Sequence, residues 1–114
     1  MSDNWVESYF AAWNESDPVK VVHWMTDDVE FEDVTAGHIS RGKDAVKKFV
    51  EACHKTVPDA RYEVVESRSF GDAYWVEWIM HARGKAVRGA STGKLRDGKI
   101  TSNHDYWNGA LFQL

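Results

Sequence analysis

Tyr74-Trp75-Val76-Glu77-Trp78-Ile79-Met80-His81-Ala82-Arg83 is the stretch on which the fold turns. Alternation with period two sends Tyr74, Val76, Trp78, Met80 and Ala82 to one face and Trp75, Glu77, Ile79, His81 and Arg83 to the other, as in a strand buried on one side. The first set reads as interior. Turn dipeptides bracket the strand, Gly71-Asp72 before it and Gly84-Lys85 after it, and Asp97-Gly98 follows as a hairpin signal. From Arg61 onward the chain therefore reads as an antiparallel meander. In its last strand Asn103, Asp105 and Trp107 share one face, and Ile100, Ser102, His104 and Tyr106 the other. The polar trio ending in tryptophan is placed to line a pocket.

Upstream the period changes from two to that of a helix. Trp5, Tyr9 and Trp13, widened by Val6, Phe10 and Ala12, predict an amphipathic helix over residues 3–15 with one aromatic face. Asp17-Pro18 is an N-cap followed by a first-turn proline, opening a short helix through Val19, Val22 and Met25 that stops near Asp27-Asp28. Gly42 precedes a third helix with Ala45, Val46, Phe49, Val50 and Cys53 on one face, ended by Val57-Pro58. Helices first and a meander afterwards give an α+β domain in which a curved sheet wraps one face around the helices. At 114 residues the chain reads as one domain, 1–114, able to bury about two-thirds of its unfolded surface.

Between the second and third helices lies Val29-Glu30-Phe31-Glu32-Asp33-Val34. Val29 and Phe31 face inward by parity, and so does Asp33. Apolar walls disfavour an ionised carboxylate, so its pKa is expected to rise, making Asp33 usable as a proton-transfer base. The other reading is a turn cap, since Thr35, Ala36 and Gly37 follow directly.

Six Trp, four Tyr and five Phe are enough to fill a core and also line an apolar pocket. A formal charge of −4, scattered and without a basic stripe, argues against nucleic acid as a partner. Cys53 is the single cysteine, so no intramolecular disulfide forms and a cytoplasmic location is the simplest expectation. The start lacks the features of a signal peptide, and no apolar run approaches the ~18 residues of a membrane span. Among His23, His38, His54, His81 and His104 no metal-ligand spacing occurs, so no metal is expected. Cys53 reads as packing. Gly89-Ala90-Ser91-Thr92-Gly93 lacks the context of a phosphate loop and reads as a strand whose small residues let pocket contents approach. Trp75 beside Ile79 on the outer sheet face suits a subunit interface, hence a homodimer.

Tyr9-Phe-Ala-Ala-Trp13-Asn-Glu-Ser-Asp17, Met25-Thr-Asp-Asp-Val-Glu-Phe-Glu-Asp33, Arg41-Gly42-Lys-Asp-Ala-Val-Lys-Lys-Phe49 and Asp97-Gly-Lys-Ile100 leading to Asp105-Tyr-Trp107 together resemble the nuclear transport factor two-like superfamily. More narrowly the chain is similar to the ketosteroid isomerases and the SnoaL-like polyketide cyclases. The resemblance implies a cone-shaped, curved mixed sheet around three N-terminal helices, the cystatin-like or SnoaL-like fold. It puts Tyr9 at the oxyanion-hole phenol, Asp33 at the general base, and Trp13, Phe49 and Trp107 on pocket-lining positions.

The chain departs from the isomerases where Ser91 takes the place of their protonated Asp, Met25 and Val50 replace supporting tyrosines, and Val34 replaces a Pro. The acid that many SnoaL-like proteins carry near the end of the last strand falls on Asn108. Losing an oxyanion donor costs about 10²- to 10³-fold in rate. Asp105 is the candidate substitute, as a protonated donor or second base, unless it pairs with Arg41 or Arg88. Phe31, Trp78, Met80, Ser91 and Asn103 complete the expected pocket wall. The resemblance thus implies a cofactor-independent isomerase or cyclase that moves a proton beside a carbonyl of a small apolar, steroid- or polyketide-like compound. The rival is a non-catalytic ligand-binding or dimerisation module of the same fold.

Overall fold

The computed structural model describes residues 4–111; Asp3, the first residue of the predicted opening helix, lies outside them. Helix α1, Asn4–Asn14, buries Val6, Tyr9, Phe10 and Ala12 along one face, with Trp5 and Trp13 half-buried beside them. Asp17 caps helix α2, Pro18–Val22, accepting from the amides of Val19 at 3.1 Å and Lys20 at 3.2 Å, and Pro18 fills a first-turn position whose missing N–H costs nothing there. Helix α3, Lys43–Thr56, follows Gly42, whose φ of 86° a side chain would strain. Its last turn is held by the Arg83 guanidinium, which donates to the Thr56 carbonyl at 2.8 Å.

Six strands form one sheet: β1 (Met25–Asp33), β2 (His38–Arg41), β3 (Arg61–Phe70), β4 (Ala73–Ala82), β5 (Lys85–Arg96) and β6 (Lys99–Trp107), in the order β2-β1-β6-β5-β4-β3. The run β3 to β6 is the expected antiparallel meander. Its last strand pairs in parallel with β1, which makes the sheet mixed and leaves it open, with β2 and β3 at its edges. The curved sheet covers three helices. In β4 the alternation holds throughout: Tyr74, Val76, Trp78, Met80 and Ala82 are buried. Trp75 and Ile79 lie half-buried on the outer face.

Two expectations about element boundaries and facing are corrected. Helix α2 stops at Val22, and Met25 instead opens β1 opposite Ile100, with the Ile100 amide donating to the Trp24 carbonyl at 2.7 Å. Ile100, assigned by parity to the outer face of β6, is fully buried. Lys94 pairs with Ser102 but Leu95 with Ile100, so Thr101 is an extra residue that resets the alternation, a β-bulge.

Candidate active site

Asp33 ends β1 on the inward face, as parity predicts, and the turn-cap reading holds. Its Oδ1 accepts from the Ala36 amide at 3.0 Å, capping the turn, and from the Trp107 indole Nε1 at 2.8 Å. Both of these bonds fall on Oδ1, and the carboxylate lines the cavity. The turn itself is clamped to β6. The Val34 amide donates to the Asp105 carbonyl at 2.9 Å, and the Thr35 hydroxyl exchanges hydrogen bonds with the Trp107 backbone, both at 2.9 Å. This clamp fixes the indole that holds Asp33.

Asp33 and Asp105 are register partners across the parallel β1–β6 pair, and Ser91 is the partner of Asp105 on β5. The carboxylates therefore stand on neighbouring strands about 4.8 Å apart in backbone spacing, on the same inward face. Asp105 pairs with neither Arg41, which binds Glu30, nor Arg88, which binds Glu77. Its Oδ1 instead accepts from Ser91 Oγ at 2.6 Å and Asn103 Nδ2 at 2.7 Å. Burial pushes the Asp105 carboxyl up to about 7, and the neighbouring Asp33 charge adds to the rise against the pull of the two hydrogen bonds. Burial thus favours the protonated form of Asp105 well above the usual carboxylate range.

The space in front of these groups has two adjoining parts that share wall residues. An outer cavity of about 330 Å³ lies between the sheet and α3 and is lined by Trp13, Asp33, Phe49, Tyr62, Met80 and Trp107 together with the C-terminal half of α3. That volume is in the range of small-molecule sites. An inner chamber of about 40 Å³ shares Trp13, Asp33, Phe49, Cys53 and Tyr62 with it and adds Tyr9, Phe10, Trp78, Ser91 and Asp105. It has room for about one carbonyl oxygen or water. Among the described residues no Lys or Arg lines either part. The Tyr9 phenol is pushed above its ordinary range by burial first and by the Asp105 charge second, with the Trp13 side chain opposing, so it stays protonated as a donor.

Of the residues singled out in the sequence, Asp33, Tyr9, Asp105, Trp13, Phe49, Trp78, Met80, Ser91 and Trp107 border the two-part cavity. Phe31 and Asn103 do not. Phe31 is 1 % exposed and backs the wall, with its ring centroid 5.6 Å from Phe49 and 6.1 Å from Trp13. Asn103, also 1 % exposed, stands behind Asp105. Gly89 and Gly93 admit side chains, not pocket contents: a Cβ at Gly89 would enter the Trp78 ring, and one at Gly93 would meet the Tyr74 hydroxyl at 2.6 Å.

Tyr62 and Cys53 are among the wall residues that sequence reasoning missed. Tyr62 is set by Asn14, whose side-chain amide binds both the Tyr62 carbonyl at 2.9 Å and its amide at 2.7 Å, bringing the Tyr62 and Trp13 rings to 5.9 Å. Cys53, read as packing, lines both parts, and burial pushes its thiol up to about 12, with Asp33 and Asp105 adding to the rise. It remains a thiol and not a nucleophile. Among the described residues no cluster of three His, Cys, Asp or Glu side chains is placed to hold a metal, and no helix is long and apolar enough to cross a membrane.

A family model described as the SnoaL-like domain matches residues 6–103. No curated protein matches the chain significantly. Among solved structures, the chain is similar to a protein with a ketosteroid isomerase-like fold from Catenulispora acidiphila, in complex with trimethylamine, at 20% identity and TM-score 0.85 over 93% of this chain and 86% of that one. A candidate SnoaL-like polyketide cyclase from Shewanella denitrificans matches at 19% identity and TM-score 0.81, covering 94% and 90%. TerC co-crystallized with polyporic acid matches at 20% identity and TM-score 0.82, covering 94% and 91%. At such identities the likeness is one of fold.

Proposed function

The chain belongs to the SnoaL-like domain family, and on that premise we propose that its cavity is an acid/base site that moves a proton beside the carbonyl of a neutral, apolar ring compound. The observation that carries this reading is the register of Asp33 opposite Asp105 on one inward face, inside an aromatic cavity that also receives the Tyr9 phenol. The carbonyl oxygen fits the inner chamber and takes hydrogen bonds from Tyr9 and protonated Asp105. Ionised Asp33 removes the proton from the adjacent carbon as the C–H electron pair becomes the enolate. Returning the proton to another carbon completes an isomerisation, and attack of the enolate carbon on a second carbonyl closes a ring. Two carboxylates and the lack of Lys or Arg among the described wall residues favour a neutral substrate over an anionic one. TerC, of the same fold, was co-crystallized with polyporic acid.

The test is solvent deuterium incorporation into a panel of neutral cyclic ketones and enones, followed by NMR. Wild type is expected to accelerate exchange at the carbon beside the carbonyl and Asp33→Asn to lose that acceleration by at least about 10³-fold. A panel that binds without exchange in wild type contradicts the enzyme reading and leaves a ligand-binding module.

A further inference from the structure

We propose that Ser91 and Asn103 are positioning residues that determine which oxygen of Asp105 carries its proton, reserving Oδ1 as an acceptor and presenting Oδ2–H to the inner chamber. The inference rests on the acid/base reading above and deepens it.

The direction of each hydrogen bond follows from what the groups can donate. The Trp78 indole is a donor only, and it gives its Nε1–H to Ser91 Oγ at 2.9 Å. The single Ser91 proton is then free for Asp105 Oδ1 at 2.6 Å. On the other side, the Tyr74 hydroxyl donates to Asn103 Oδ1. Tyr74 is 3 % exposed and burial raises its phenol above the ordinary range, so the hydroxyl keeps its proton and needs this acceptor. With its oxygen so engaged, Asn103 turns Nδ2 toward Asp105 Oδ1 at 2.7 Å. Two donors converge on one oxygen and occupy both of its lone pairs, so a proton on Asp105 must sit on Oδ2.

The sheet is built to hold this arrangement. Trp78 and Tyr74 reach β5 and β6 by crossing Gly89 and Gly93, where any side chain would collide with them. Ser91 lies between those glycines on the same face, and each donor is anchored by an aromatic residue of β4. The titratable groups facing Asp105 are Asp33 from β1, Tyr9 from α1, Cys53 from α3, Tyr62 from β3 and Tyr74 from β4. The three phenols and the thiol all have raised values and hold their protons at neutral pH. Among the described residues Ser91 and Asn103 are the two side chains that donate to Oδ1.

The test combines a carboxyl-resolved NMR titration of Asp105 with the pH profile of ketone exchange. Ser91→Ala removes a donor that favours ionised Asp105, so the Asp105 midpoint is expected to rise by about one pH unit. The limb of the exchange profile that falls as Asp105 loses its proton should move up with it. Ser91→Thr, which keeps the hydroxyl, should restore both. If Ser91→Ala does not fold because the Trp78 N–H is orphaned, the double variant Tyr74→Phe/Asn103→Leu removes the second donor together with its anchor and is expected to shift the same midpoint upward. An unmoved Asp105 midpoint in the folded variants overturns the proposal. A moved midpoint with no ketone exchange in any protein upholds the positioning role and removes the acid/base reading instead.

Discussion

Asp105 gives the molecule a pH dependence whose sign is set by where its carboxyl titrates. Held at about 7 in the folded chain, against ~3.9 for an unperturbed Asp, it keeps a proton that the unfolded chain has already released. The contribution to stability therefore falls as pH rises from about 4 to about 7 and levels off above. Asp105→Asn removes this slope. The urea midpoint of wild type should drop more between pH 5 and pH 8 than that of the variant, and equal drops would contradict the assignment. Tyr9→Phe keeps the buried ring and deletes one donor to the inner chamber, so the exchange rate should fall about 10²- to 10³-fold with little change in melting temperature. Retained rate in a folded Tyr9→Phe protein would remove the phenol from the chemistry.

Parity alone put Asp33 and Asp105 on the inward face, and helical spacing put Tyr9 mid-face. Their partners were not readable, because the contacts of Ser91 with Trp78 and of Asn103 with Tyr74 depend on the register of three strands. Tyr62 carried no local signal, since Asn14, far away in sequence, sets its place. Cys53 did carry one, as it shares the predicted apolar face with Phe49, and that face lines the cavity as well as the core.

At the level of elements, the alternation of β4 and the turn dipeptides around it fixed the meander, while the errors fell where tertiary pairing outweighs local pattern. Helical spacing runs through Val19, Val22 and Met25, yet Met25 gains a strand partner in Ile100 and leaves the helix. The bulge at Thr101 turns Ile100 into the core, and no residue type announces it. β5 offers the sharpest test of how the elements build the site. Gly89→Ala drives a methyl into the Trp78 ring and should destabilise the fold by about 1–3 kcal/mol. Displacing the indole also frees Ser91, so the tryptophan emission should shift along with the loss of melting temperature. An Ala variant as stable as wild type, with unchanged emission, would show that the ring has room to move.

On the scale of the whole molecule, the parallel pairing of β1 with β6 brings the end of the first strand beside the end of the last, and with it the two carboxylates. Nothing local in the sequence encodes that long-range pairing. The mixed sheet was legible through resemblance to a known superfamily, whereas periodicity reached only the α+β class. The three helices close the concave side and leave a cavity whose wall is aromatic and whose inner end is acidic. On the proposed reading these two carboxylates form one coupled proton-transfer site. The most direct measurement is the Asp105 titration by carboxyl-resolved NMR in wild type and Asp33→Asn, with and without a planar phenol as an enolate mimic. Expected are a wild-type midpoint of about 7, a lower midpoint once the Asp33 charge is removed, and a response of the Asp105 signal to the phenol. A midpoint near the unperturbed ~3.9 that ignores both the substitution and the phenol would contradict it.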